Sequence, residues 1–236
     1  MDVLAVIHGD RVRAGVFGDV VEERGHRLEE WSLAWDTPLP RPLDSYGAVL
    51  VFGGAIHADQ DDRHPWLREE NVFLQRLLHS RTPVLGVCLG AQLLAKAAGG
   101  AVFPADDPEV GWFDVELTDS AHDDAVFARL PQRFPAFQWH YYTYDIPAGA
   151  EELARSRRCT QAFRLGDSAW AIQFHAEVTL AQVRDWIGRG VDEAEILQLP
   201  PDLLAETEAR IGDWNELGRD LCGAFIAAAE RVAVMA

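Results

Sequence analysis

Basic residues are scarce in this chain: 21 Lys and Arg stand against 38 Asp and Glu, a formal net charge of −17 over 236 residues. So acidic a surface repels phosphate backbones and anionic lipid heads, which excludes nucleic acid and membrane surfaces as expected partners. Cysteine is scarce too. Cys88, Cys159 and Cys222 form an odd set without metal-ligand spacing, so neither a disulfide framework nor a metal is expected. No uncharged apolar run reaches the roughly 18 residues of a membrane span. The opening Met1-Asp2-Val3-Leu4-Ala5-Val6-Ile7 has no basic region and too short an apolar stretch for a signal peptide. These absences point to a soluble, cytoplasmic chain, in a reducing compartment where a reactive thiol stays usable. Neither common Gly-rich phosphate loop occurs, which argues against an ATP-dependent activity here, and no cofactor is called for. Without repeats, low-complexity tracts or a linker, one domain over residues 1–236 is expected, with a helical extension from about residue 180.

What is present is a strand–helix alternation. Val3–Ile7, Tyr46–Gly54 and Pro83–Val87 are short continuous apolar runs, as in central strands covered on both faces. Helices are predicted around Arg13–Arg24 (closed by Gly25), from Pro65 to about His79, and from Leu89 to about Ala98. Arg27–Leu33 reads as a further strand, and the three prolines between Asp36 and Pro42 exclude regular structure. Such an alternation makes an α/β sandwich on a parallel sheet with crossovers. Beyond Gly100 the pattern changes to shorter strands at Trp112–Leu117, Phe137–Tyr144, Gln161–Arg164 and Trp170–Phe174. Helices then follow at Leu180–Ile187, Asp192–Gln198, Pro201–Ile211 and Asp213–Val232. In the last, Trp214, Leu217, Leu221, Phe225 and Ala228 share one face, read as core.

The chemistry concentrates at Gly86-Val87-Cys88-Leu89-Gly90-Ala91-Gln92. A nucleophile with glycine two residues away on either side, between a buried strand and a helix, marks a nucleophile elbow. The turn is so tight that side chains at the flanking positions would strike neighbouring backbone, and glycine removes the collision. The elbow lifts the sulfur to the carboxyl end of the sheet, where open α/β folds bind ligands. It sets the thiol at a helix N-terminus, which favours the thiolate. It also aims the Leu89 N–H at the place where an acyl oxyanion forms. A nucleophilic thiol needs a base, and the base an orienting group. Gln173-Phe174-His175-Ala176-Glu177 supplies both, because positions i and i+2 of an extended segment face the same way.

Gly86 to Gln92 resembles the elbow of class I glutamine amidotransferases, and Gln173 to Val178 their His-x-Glu segment. Gly53-Gly54 after the Val49–Phe52 strand resembles the family's oxyanion loop. Gly111-Trp112-Phe113, Phe137-Gln138-Trp139-His140 and Gln161-Ala162-Phe163 further resemble the stand-alone, GMP-synthase-like branch. The resemblance runs from about Ala48 to Thr179. It implies a three-layer, flavodoxin-like sandwich with a mostly parallel sheet, and a Cys88-His175-Glu177 triad. By the same resemblance Gly54 and Leu89 would hold the oxyanion, and Gly53, Gln92 and His140 would border the substrate. The implied reaction is hydrolysis of the glutamine side-chain amide through a γ-glutamyl thioester, releasing glutamate and ammonia. Two positions depart from the family pattern. Ala176 stands where Pro is usual, and Tyr141-Tyr142 where stand-alone relatives have Gly-Asp, which reshapes the pocket rim.

Remaining features carry less. His57, Asp59, Asp61, Asp62 and His64 follow no metal-ligand pattern and read as a polar loop. Arg155, Arg157 and Arg158 beside Cys159 read as a solvated turn, and Trp139 as a neighbour of the pocket. Three functions stay open: a glutaminase feeding ammonia to a synthetase on another chain, a γ-glutamyl hydrolase or peptidase using the same triad, and a non-catalytic binding protein. The intact triad disfavours the third.

Overall fold

A computed structural model describes residues 1–189 and 199–235. The helix expected at Asp192–Gln198 lies outside the described residues.

Among the described residues, nine strands form one sheet. In chain order they are β1 (Asp2–Val6), β2 (Arg27–Trp31), β3 (Ala48–Val51), β4 (Val84–Val87), β5 (Val102–Leu117), β6 (Arg133–Tyr144), β7 (Ala150–Arg155), β8 (Thr160–Leu165) and β9 (Ala169–Ile172). Their order across the sheet is β2-β1-β3-β4-β9-β8-β7-β5-β6. The first five in that order run parallel, and the rest add on antiparallel. The flanking helices are α1 (Gly15–Glu23), α2 (Trp66–Ser80), α3 (Leu89–Ala97), α4 (Leu180–Arg189) and α5 (Leu203–Met235).

The apolar runs are strands because both faces of the parallel half are covered. Along β1 and the residue that follows it, Val3, Ala5 and Ile7 join the core under α1, α4 and α5, whereas Leu4 and Val6 join the core under α2 and α3. Alternate residues of β3 divide the same way: Ala48 and Leu50 against Val49 and Val51. The pleat therefore sorts one uninterrupted apolar run into two cores, which gives the three-layer α/β sandwich. Trp214, Leu221, Phe225 and Ala228 of α5 are buried in the first core, as their spacing predicts.

Three elements differ from expectation. Trp112–Leu117 is only the end of a sixteen-residue strand, β5, that forms a long hairpin with β6. An irregularity between Pro104 and Glu109 accommodates the prolines within this strand. The segment Ala-Glu-Glu-Leu-Ala-Arg carries no strand signal of its own, yet becomes β7 because β8 pairs with it. Pro201–Ile211 and Asp213–Val232 are joined as α5, since a Cβ at Gly212 would meet nothing within 4 Å and glycine costs a helix only about 1 kcal/mol.

Candidate active site

Cys88 joins β4 to α3 with φ 53° and ψ −107°, a backbone state that L-residues avoid. The flanking glycines are obligatory. A Cβ at Gly86 would stand 2.6 Å from the Gly90 carbonyl oxygen, and one at Gly90 would stand 2.0 Å from that of Val51. The Cys88 N–H donates to Ile172 O at 2.8 Å, tying the elbow to β9. Because β4 and β9 are paired neighbours, the segment after β9 emerges beside the thiol.

That segment carries His175 and Glu177, both buried. His175 Nδ1 donates to Glu177 Oε1 at 2.7 Å, leaving Nε2 for Cys88. Burial opposes a charge on this imidazole, but Glu177 and the Cys88 sulfur outweigh it and raise its pKa to about 10. The ring meets Trp186 edge-on at 5.2 Å. Helix α5 holds the segment from behind: Trp214 Nε1 donates to His175 O at 2.9 Å, and Asn215 Nδ2 to Val178 O at 2.7 Å. Gly218 lets the helix approach, since a Cβ there would lie 2.0 Å from Ala176 O.

Gly53 and Gly54 complete the wall. A Cβ on Gly53 would come within 3.0 Å of His175 Cε1 and 3.5 Å of Cys88 Cβ. A residue not singled out in the sequence fixes this loop. His8, two residues past the end of β1, donates from Nδ1 to Phe52 O at 2.9 Å and from Nε2 to Glu70 Oε1 at 2.9 Å. With an acceptor at each nitrogen the ring carries both protons. Burial works against that charge, but Glu70 overrides it and raises the His8 pKa. A signal existed: Glu70 is a lone carboxylate on the buried face of α2, between Leu67 and Phe73, and such a group needs a partner.

Two cavities meet at Cys88. The larger, about 340 Å³, is lined by Val12, Trp139, His175 and Trp186, with His8 and Arg11. The smaller, about 70 Å³, is lined by Leu89, Gln92, His140, Tyr141 and Tyr142. Gly54, Ala55, Cys88 and Trp139 border both. Gln92 donates to Tyr142 O at 3.0 Å and to Gln173 Oε1 at 3.2 Å. His140 uses both nitrogens, on Tyr142 O at 3.0 Å and Glu109 Oε2 at 3.1 Å. Tyr142 stacks on His57 at 4.0 Å and donates to Asp59 at 3.3 Å, closing this rim.

Among the described residues, His57, Asp59, Asp61, Asp62 and His64 do not gather as a metal-binding group. Glu109, His140 and Cys159 do bring donor atoms within 4.8 Å of one another. Burial and the Glu109 carboxylate push the Cys159 thiol up to about 12, against hydrogen bonds from Thr143 and Ser156, so it presents S–H rather than thiolate.

The family model described as glutamine amidotransferase class-I matches residues 20–187. This chain belongs to that family. A glutamine amidotransferase-like protein of Salmonella typhimurium is 26% identical over 227 residues, covering 94% of either chain. The GMP synthase of Thermomicrobium roseum is 43% identical over 103 residues, which span 43% of this chain and 19% of that enzyme. A γ-glutamyl-L-1-hydroxyisopropylamide hydrolase of a Pseudomonas species is 31% identical over 147 residues, 58% of this chain and 49% of the hydrolase. Among solved structures, a glutamine amidotransferase of Thermotoga maritima superimposes with a TM-score of 0.87 at 30% identity, over 95% of this chain and 97% of that one. No helix of the described residues is long and apolar enough to cross a membrane.

Proposed function

We propose that this class I glutamine amidotransferase hydrolyses a γ-glutamyl amide, with glutamine the simplest member, through a Cys88-His175-Glu177 triad. The observation that carries this reading is the Cys88 elbow beside a buried His175 whose Nδ1 is held at 2.7 Å by Glu177. The thiolate attacks the γ-carbonyl, and the N–H groups of Gly54 and Leu89 stabilise the oxyanion. His175 protonates the departing nitrogen, and water then cleaves the thioester with His175 as base. Two kinds of relative bear on the product's fate. The Thermomicrobium relative is named a glutamine-hydrolysing GMP synthase and is matched over only 19% of its length, so a partner chain taking up ammonia is one outcome. The Pseudomonas relative is named for a substituted γ-glutamyl amide, so release of an amine is the other.

The test is glutamate and ammonia release by the purified chain from glutamine and a panel of γ-glutamyl amides. Cys88→Ala should retain the fold, judged by thermal melting, and lose release by at least 10³-fold, the scale set by removal of a catalytic nucleophile. Activity retained in Cys88→Ala would remove the assignment.

A further inference from the structure

Resting on that reading of Cys88 and His175, we propose that the larger cavity is a leaving-amine site. The preferred substrate is then an N-substituted γ-glutamyl amide bearing a compact, uncharged, apolar or aromatic group on nitrogen. The geometry divides the tetrahedral intermediate between the two cavities. Leu89 and Gln92 line only the smaller one, and His175 lines only the larger. His175 must come within about 2.6–3.2 Å of the departing nitrogen to protonate it. That nitrogen therefore faces the larger cavity, and the glutamyl chain lies towards Gln92. Whatever the nitrogen carries projects among Val12, Trp139 and Trp186.

The space on this side of Cys88 exceeds what ammonia alone needs. A water-sized molecule needs roughly 10–15 Å³ of such space, whereas this chamber offers about 340 Å³. The lining sets the chemical class. Trp139 and Trp186 meet edge-to-face at 5.7 Å and form an aromatic corner closed by Val12. The Trp186 Nε1–H is used on Arg11 O at 2.9 Å, so the ring presents hydrocarbon to the chamber. His8 has both nitrogens engaged on the oxyanion loop and Glu70. Asp10 pairs with Arg13 at the mouth, with 85% of its side chain exposed. Arg11 also borders the chamber and is itself partnered, so the walls left to a substituent are chiefly Val12, Trp139 and Trp186, which match an uncharged group.

The step balances without a further reactant. Sulfur bonds to the side-chain carbonyl carbon as the carbonyl electron pair moves to oxygen. Collapse breaks the C–N bond, and nitrogen takes the His175 proton and leaves as a primary amine. Water then adds to the thioester, His175 takes its proton, and the C–S bond breaks to give glutamate and free thiolate.

The experiment measures glutamate release by the full chain from glutamine, γ-glutamyl-isopropylamide and γ-glutamyl-benzylamide, in wild type, Cys88→Ala and Val12→Trp. Wild type should show kcat/KM at least tenfold higher for a substituted amide than for glutamine. Val12→Trp, which fills the chamber, should lower that ratio at least tenfold; Val12→Phe replaces it if the Trp variant melts early. Preference for glutamine, or a ratio indifferent to filling the chamber, overturns the amine site while leaving the thiol chemistry standing. Absence of Cys88-dependent release from all three compounds overturns the nucleophile reading itself.

Discussion

At the residue scale, the site is held together by charges kept out of water. Burial alone would leave His175 neutral, yet Glu177 at 2.7 Å and the Cys88 sulfur bring its pKa to about 10. The group is thus an imidazolium over the neutral range, the form that the proposed protonation of the leaving nitrogen requires. Glu177 is the largest influence raising that pKa, so Glu177→Gln should shift the alkaline limb of kcat/KM, near pH 10 in wild type, downwards. It should also cost less turnover than His175→Ala, whose loss of acid–base function is worth roughly 10²–10⁴-fold. A pH–rate profile of the two variants reads both effects. An unmoved limb, or an equal loss in both, means that Glu177 does not orient and charge this histidine. His8 and Glu70 repeat the same device one layer away, where the oxyanion loop rather than the nucleophile is held.

At the scale of elements, the long C-terminal helix does more than cover the sheet. Trp214 and Asn215 bind the His175–Val178 backbone, and Gly218 is the point of closest approach. A Cβ at Gly218, 2.0 Å from Ala176 O, must push the segment that carries His175. Gly218→Ala should therefore destabilise by about 1–3 kcal/mol, as overpacking does, and lower kcat as well. Gly212→Ala and Gly223→Ala, where a Cβ meets nothing within 4 Å, should be neutral or stabilise by up to about 1 kcal/mol. Melting curves and turnover of the three variants decide the matter; equal behaviour would mean that α5 does not brace the site. The parallel strands and α1 to α3 were legible in the sequence because a strand covered on both faces must be apolar throughout, and helices need caps and stripes. The strand β7 was not, since Ala150–Arg155 is strand only by virtue of its partner. The exposed arm of β5 was hidden by prolines that a hairpin irregularity tolerates.

At the scale of the whole molecule, what could be read in advance was whatever is encoded within a few residues. Cys88 with its glycines and His175 with Glu177 are such local patterns. The pair of His8 and Glu70 is separated by 62 positions and joins two elements across a layer, so no spacing announces it. The same holds for Trp186, which reaches the site from α4 and whose Nε1–H caps Arg11 O. The buried pairs His8–Glu70 and His175–Glu177 make stability depend on pH in a definite direction. His8 and His175 both have pKa values raised above the ordinary 6.5, His175 to about 10. A group raised in the folded state contributes fully below its unfolded pKa, and that contribution is lost as pH rises through the folded value. Each proton lost also adds to a chain already at −17, which increases self-repulsion. The melting temperature should therefore fall between pH 7 and pH 10, each histidine adding at most about 1.4 kcal/mol per pH unit while it titrates. In Glu70→Gln the His8 share of that fall should be gone, because the carboxylate that raised its pKa is gone. Parallel pH profiles of wild type and Glu70→Gln, measured by thermal melting, would show that this buried pair is not charged in the native protein.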